Sequence, residues 1–352
     1  MVTKPRILLI TPGFPADEDD TTCIPALQVY ARGLAESLPD YAFEVVALHY
    51  PFRTGTYRCF DLDVHSLNLP SGSRIRRWLG LWRALRWLHR FHLQNPVVGV
   101  HSFWLNDAAW LGWKLTRRFN LPFLATIMGQ DALSANHYHR WVRLPPKCVV
   151  AVSQRAAETY GELNRGLPEV VPWGWGPVDA ESSRERGIDI LGVGALIELK
   201  DFRTFVEVLA RLKTGRPSLR AVMVGEGSES EALQRMAAEL GLNAHCEFTG
   251  KLPRAEVLAL MAQSKILLHP STYEAFGYVF LEALGAGMQV VSRPVGIAEP
   301  GQRWQVGHSV DELAEACERG LASHSGWEPT WPYPLADVFR NYGGIYRGWF
   351  HR

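Results

Sequence analysis

Short apolar runs closed by Gly, Pro or Asp alternate along this chain with longer segments of helical period, and few folds accept that rhythm. A parallel sheet covered by helices on both faces does, because its strands read as continuous apolar runs and each needs a crossover helix. In the first half the runs are Arg6–Thr11, Glu44–Leu48, Val97–His101, Phe123–Ile127 and Val149–Val152, with helical patterns over Leu27–Ser37, Arg76–Phe91 and Asp107–Phe119. The second half repeats the scheme, with strands at Ile188–Val193, Ala221–Val224, Glu247–Thr249, Ile266–Leu268 and Gln289–Ser292. Helices between them are expected over Phe202–Leu212, Glu229–Leu240, Arg254–Gln263 and Tyr278–Ala286.

At 352 residues the chain exceeds what one hydrophobic core ordinarily serves. The expected fold class is therefore α/β, with two Rossmann-like domains facing each other across a ligand cleft at their strand ends. The Pro/Gly-rich run Val170-Val171-Pro172-Trp173-Gly174-Trp175-Gly176-Pro177, followed by a charged stretch through Arg186, marks the boundary. This gives domains over 1–174 and 175–334, and a final segment over 335–352. Within that segment Leu335–Phe350 is aromatic-rich and broken by Gly343-Gly344, the pattern of a kinked helix.

Charge excludes a general nucleic-acid binder, since 37 Lys+Arg against 36 Asp+Glu leave a net +1. The balance conceals a basic first half, with 19 basic and 14 acidic residues up to Trp175. Five scattered cysteines without a zinc-ligand spacing fit a reducing compartment. The only N-terminal apolar run, Ile7 to Ile10, is too short for a signal peptide or a spanning helix, so the expected location is cytoplasmic.

The most informative segment runs His269-Pro270-Ser271-Thr272-Tyr273-Glu274-Ala275-Phe276-Gly277-Tyr278-Val279-Phe280-Leu281-Glu282-Ala283-Leu284-Gly285-Ala286-Gly287. A buried strand ends, a polar loop follows, and a helix begins near Phe276-Gly277. Its free N–H groups and positive dipole end suit a phosphate. Glu274 before the helix and Glu282 on it each offer a carboxylate for a vicinal diol. Phosphate and two diols together describe a nucleotide sugar. In isolation two glutamates eight residues apart are commonplace on a solvated helix face; the strand–loop–helix setting gives them meaning.

Glu274-x7-Glu282 in this setting resembles the signature of retaining glycosyltransferases, specifically glycosyltransferase family 4, whose members have the GT-B architecture. Val193-Gly194 with Lys200-Asp201, Gly225-Glu226-Gly227, Phe248-Thr249-Gly250-Lys251-Leu252 and Gly296-Ile297-Ala298-Glu299 resemble further family segments in the right order. The resemblance implies that Lys200 contacts the donor diphosphate, Glu282 the ribose and Glu274 the sugar hydroxyls. It places the Phe276-Gly277-Tyr278 backbone near sugar and phosphate, Gly194, Gly225 and Gly227 in the donor site, and Lys251 and Leu252 beside the base. It also implies a C-terminal segment returning to the first domain, no cofactor and no obligatory metal. The activity implied is sugar transfer to a saccharide or lipid-linked acceptor in cell-surface polysaccharide or glycoconjugate synthesis. A nucleotide-sugar epimerase and a non-catalytic binding protein of the same architecture are the alternatives.

The chain departs from the family where its phosphate-binding Arg would stand, at Ala195, which leaves Lys200 alone or another Arg in its place. The first loop, glycine-rich in relatives, carries Asp17, Glu18, Asp19 and Asp20, and Met128 stands where many have His. His101, at a strand end, and Asp131, after Gly129, are expected on the catalytic side, against readings as a satisfied core histidine and a helix cap. Arg76, Arg83, Arg86 and Arg90 fall within about 80° on a helical wheel, opposite Ile75, Trp78, Leu81, Trp82, Leu85, Leu88 and Phe91. Core packing accounts for that stripe; the functional alternative is peripheral attachment to an anionic membrane surface.

Overall fold

A computed structural model describes residues 4–21, 23–176, 186–301, 303–323 and 328–349. Thr22 of the acidic loop, 177–185 of the charged stretch after the boundary, and the last residues 350–352 lie outside these. The first sheet grows from β1 (Arg6–Gly13), whose Ile7, Leu8, Leu9 and Ile10 are all buried, as a strand covered on both faces requires. After it come α1 (Pro25–Ser37), β2 (Ala42–Tyr50), β3 (Gly55–Cys59), β4 (Leu62–Ser66), α2 (Arg74–Gln94), β5 (Val97–Phe103) and α3 (Asp107–Phe119). β6 (Phe123–Ile127), α4 (Tyr138–Val142), β7 (Val149–Ala151), α5 (Gln154–Asn164) and β8 (Glu169–Val170) complete the row. The sheet order is β3-β4-β2-β1-β5-β6-β7-β8, parallel except for the β3–β4 hairpin.

The second sheet contains β9 (Ile188–Val193), then α6 (Phe202–Gly215), β10 (Ala221–Val224), α7 (Ser230–Glu239), β11 (Cys246–Gly250) and α8 (Arg254–Ala262). It continues with β12 (Ser264–His269), α9 (Tyr278–Gly285), β13 (Gln289–Ser292), β14 (Trp304–Val306) and α10 (Val310–Ala322). Its order, β11-β10-β9-β12-β13-β14, is parallel throughout. Five strand ends at Val193, Val224, Gly250, His269 and Ser292 therefore share one edge. The contacts divide the chain into Met1–Trp173 with Leu335–Arg352, and Gly174–Pro334.

Most expected elements form within two or three residues of their bounds, but the β3–β4 hairpin and α4, α5, β8, β14 and α10 carry no expectation. The hairpin turns on Phe60 and Asp61, both at positive φ (52° and 58°), so no Asn-Gly or Asp-Gly signal marks it. The final segment forms α11 (Leu335–Gly348), whose helical run continues through Gly343-Gly344. Gly343 lies against Leu38, where a Cβ would stand 3.0 Å from its side chain, so the glycine serves close packing.

The stripe on α2 also divides. Leu81, Leu85, Leu88 and Phe91 are buried in the core, whereas Ile75, Trp78, Leu79 and Trp82 on the first two turns are exposed. Arg76, Arg83, Arg86 and Arg90 are exposed as the wheel requires.

α11 packs on α1 where Gly33 faces Phe339, and a Cβ at Gly33 would approach that ring to 1.8 Å. Gly33→Ala is expected to lower stability by about 1–3 kcal/mol through overpacking. Adding Phe339→Leu should recover part of that loss, a coupling read from denaturant midpoints of the two single variants and the double variant.

Candidate functional site

Three loops interlock at the carboxyl edge of the second sheet. Gly194 donates its N–H to Val224 O (3.1 Å), Leu196 to Glu226 O (2.9 Å) and Gly225 to Gly250 O (2.9 Å). Gly225, at φ 146°, passes so close to Gly194 O that a Cβ would stand 1.8 Å from it, and Gly227 is pressed against Leu196 in the same way. Only glycine lets these backbones meet, which explains the Gly-x-Gly spacing.

A second set of contacts brings Lys200 to Glu274. The turn Glu198–Lys200 is fastened to the loop after β12, since Leu199 O accepts from Thr272 N (3.0 Å) and Ser271 Oγ (3.1 Å). Lys200 Nζ then donates to Glu274 Oε1, and His269 Nε2 pairs with the same oxygen at 2.7 Å. Burial alone would raise the Glu274 pKa, but His269 and Lys200 outweigh it and hold the carboxyl at about 2. Burial lowers the His269 pKa against the pull of Glu274; with Nε2–H donating to the carboxylate, Nδ1 is buried without a hydrogen-bond partner among the described residues.

Glu282 belongs to a different pair. It lies on α9, where Arg254, the first residue of α8, reaches its Oε1 through Nη2 (3.0 Å) and Nε (3.2 Å). Burial raises the Glu282 pKa and Arg254 opposes that rise. The Arg254 guanidinium in turn lies over the Trp175 ring at 4.6 Å, and Tyr278 meets Trp175 edge-on with ring centroids 5.4 Å apart. At the start of α9, Gly277 adopts φ 84° and no side chain caps the first turn. Lys251 is exposed and 4.0 Å from Glu226, and Leu252 is half-buried beside it.

The edge is thus built around two carboxylate–cation pairs, Glu274 with Lys200 and His269, and Glu282 with Arg254. His269 and Arg254 carry no role from the sequence: the one follows the expected strand Ile266–Leu268, the other is the first residue of an expected helix. Arg293, after β13, is a further cation at this edge, bonded to Asp201 (2.7 Å) and Thr204 (3.2 Å).

Two residues expected on the catalytic side are enclosed by contacts within the first unit. His101 is fully buried, with Nδ1 on Tyr346 Oη (2.7 Å) and Nε2 on Thr126 Oγ1 (2.7 Å), and burial lowers its pKa to about 3. It is a neutral core histidine with both nitrogens engaged. Asp131 Oδ1 accepts from Gly129 N (2.6 Å) and Met128 N (3.2 Å), and Oδ2 from Leu105 N (2.8 Å). Burial raises its pKa to about 6 against the pull of these amides, and the carboxylate clamps its own loop. The acidic first loop likewise bonds to itself, with Asp17 Oδ1 accepting from Asp19 N and Asp20 N at 3.1 Å each.

Residues 179–315 match the family described as glycosyl transferases group 1. Among curated proteins, the gpi3 subunit of phosphatidylinositol N-acetylglucosaminyltransferase from Schizosaccharomyces pombe is 30% identical over 118 residues, 34% of this chain and 26% of the relative. The chain spans less than two thirds of the length of the curated relatives it matches. Among solved structures, a sucrose-phosphate synthase from Thermosynechococcus elongatus superposes with a TM-score of 0.75 at 18% identity, covering 99% of each chain. Anabaena Alr3699/HepE, solved with UDP and glucose, gives a TM-score of 0.70 at 16% identity over 97% of this chain and 99% of that one. The shared feature is the fold: α/β with two parallel sheets, as in GT-B glycosyltransferases.

The depressed Glu274 pKa makes this carboxylate a source of stability at neutral pH. That contribution is complete above the unfolded value near 4.5 and is lost as pH falls toward 2, by up to about 1.4 kcal/mol per pH unit. Glu274→Gln should therefore have a flatter acid limb than wild type in unfolding midpoints measured between pH 5 and 2.5.

Proposed function

We propose that this chain is a glycosyltransferase that moves a sugar from a nucleoside-diphosphate sugar to a saccharide or lipid-linked acceptor with retention of anomeric configuration, in cell-surface polysaccharide or glycoconjugate synthesis. The observation that carries the reading is the pair of half-buried acids, Glu274 and Glu282, each held by its own cation at one sheet edge within the segment matching the group 1 family. The UDP and glucose held by Alr3699/HepE support a nucleotide-sugar donor. The second unit is the donor side and the first the acceptor side in this proposal.

In the proposed complex the donor diphosphate takes Lys200 as its counter-ion, with the first N–H groups of α9 and the close backbones at Gly194, Gly225 and Gly227 around it. Drawing Lys200 toward phosphate leaves Glu274 Oε1 to His269 alone and opens the carboxylate to a sugar hydroxyl, while His269 keeps it oriented. Glu282 accepts from the ribose diol, with Arg254 paired to it, and Lys251 and Leu252 flank the base. The leaving phosphate stays on the face from which the acceptor hydroxyl arrives and takes its proton, so the enzyme contributes position and fixed charge. No cofactor or protein-held metal is assigned to this step.

The test is thermal stability against UDP-, GDP-, ADP- and TDP-sugars with EDTA present, followed by a transfer assay with the donor that binds. One base class should raise the melting point of wild type and fail to raise that of Glu282→Ala. Glu274→Ala should bind donor within a few-fold of wild type and lose at least about 100-fold in turnover. Wild-type affinity and turnover in both variants would remove the assignment.

Attachment to an anionic membrane is the second part of the proposal, favoured by the exposed Ile75, Leu79 and Trp82 (74%, 60% and 58%) beside the arginines of α2. No helix among the described residues is long and apolar enough to cross a membrane. Ile75→Asp with Trp82→Asp should abolish co-sedimentation with phosphatidylglycerol vesicles while leaving the unfolding midpoint within about 0.5 kcal/mol of wild type, because both side chains are exposed. Unchanged co-sedimentation would refute it.

A further inference from the structure

We propose that the cavity beside the C-terminal ends of α4 and α5, in the first unit, binds a phosphate ester. The cavity measures about 720 Å³, within the range of small-molecule sites. Arg140, Arg143 and Arg165, all exposed, line it, and no acidic side chain among the described residues does. Arg143 and Arg165 are the C-cap residues of α4 and α5, each in the left-handed region (φ 41° and 56°), where glycine or asparagine is usual.

An arginine near a helix C-terminus can hydrogen-bond the last carbonyls. None of these three guanidinium groups does so, and none meets a carboxylate among the described residues. Three like charges around one cavity repel one another, and an anion with several acceptor oxygens relieves that repulsion. The guanidinium fork matches phosphate in particular. The rest of the wall shows what the phosphate is attached to. Leu144, Pro146 and Leu163 offer an apolar surface beyond the charges, which a bare phosphate leaves uncovered and a short aliphatic ester fills. A soluble sugar or polyol phosphate carries that group, and so does the head of an anionic lipid. The exposed Trp141 on α4, next in sequence to Arg140 and 6.1 Å from Trp78 of α2, is the reason to include the second source.

Glycerol 3-phosphate in solution, and phosphatidylcholine vesicles with and without phosphatidic acid, are the probes, used at fixed ionic strength with glycerol and chloride as controls. Binding is read by calorimetry for the first and co-sedimentation for the second. Wild type and Lys200→Ala should bind at least one probe saturably, and Arg143→Glu with Arg165→Glu should weaken that binding about tenfold or more. Arg143→Gln with Arg165→Gln, checked for native circular dichroism, answers the question if the charge reversal disturbs folding. Glycerol 3-phosphate binding assigns the site to a soluble ester, and binding confined to phosphatidic acid vesicles assigns it to a lipid head. Equal binding by wild type and both arginine variants, loss in Lys200→Ala instead, or no binding of either probe would overturn the proposal.

Discussion

A carboxylate largely withdrawn from water beyond the end of a parallel strand has to be matched by positive charge and hydrogen bonds, and at Glu274 that requirement organises the whole edge. Lys200 reaches it only because the turn at Glu198–Lys200 is tied through Leu199 O to Thr272 and Ser271. His269 reaches it because β12 ends at that residue, one short loop away. The turn after β9 can hold that place because its neighbours Gly194, Gly225 and Gly227 have no side chains to keep the loops apart. The charge pair, the loop ties and the glycine contacts are therefore one structure, and changing any member shifts the others.

Much of this was legible in the residues. Apolar runs located the central strands because a doubly covered parallel strand has no polar alternation to blur its limits; β6, β9, β10 and β13 have the bounds their runs predict. The loop–helix setting of Glu274 and Glu282 was likewise visible. Elements at the sheet margins were not, because little core selects their composition: β3 and β4 pair at an edge, β8 has two residues and α4 five. The partners of the two acids escaped for a different reason. His269 meets Glu274 across a loop, and Arg254 meets Glu282 from another helix, and neither spacing has a periodic signature.

His101 and Asp131 show where strand-end reasoning reaches its limit. A polar residue at the carboxyl end of a strand faces a ligand only if nothing else covers it. Here Tyr346 of α11 and Thr126 of β6 take both nitrogens of His101, within a cluster that includes Tyr30 and Tyr342. Asp131 is consumed by three backbone amides, two of the turn that carries it and one, Leu105, of the loop after β5. The partner that decides the role of His101 lies 245 residues away in sequence, so no local pattern contains it.

That partner helix gives the first unit an unusual biosynthetic history. Its sheet is encoded before Trp173, but the helix that covers His101 and packs on α1 begins at Leu335. On the ribosome the second unit, continuous from Gly174 to Pro334, is made in full before the first can bury Tyr342 and Tyr346. The nascent first unit must carry an open apolar groove along α1 for the whole of that interval. Domain-by-domain maturation thus runs in reverse here, with the later-encoded unit able to reach its final form first.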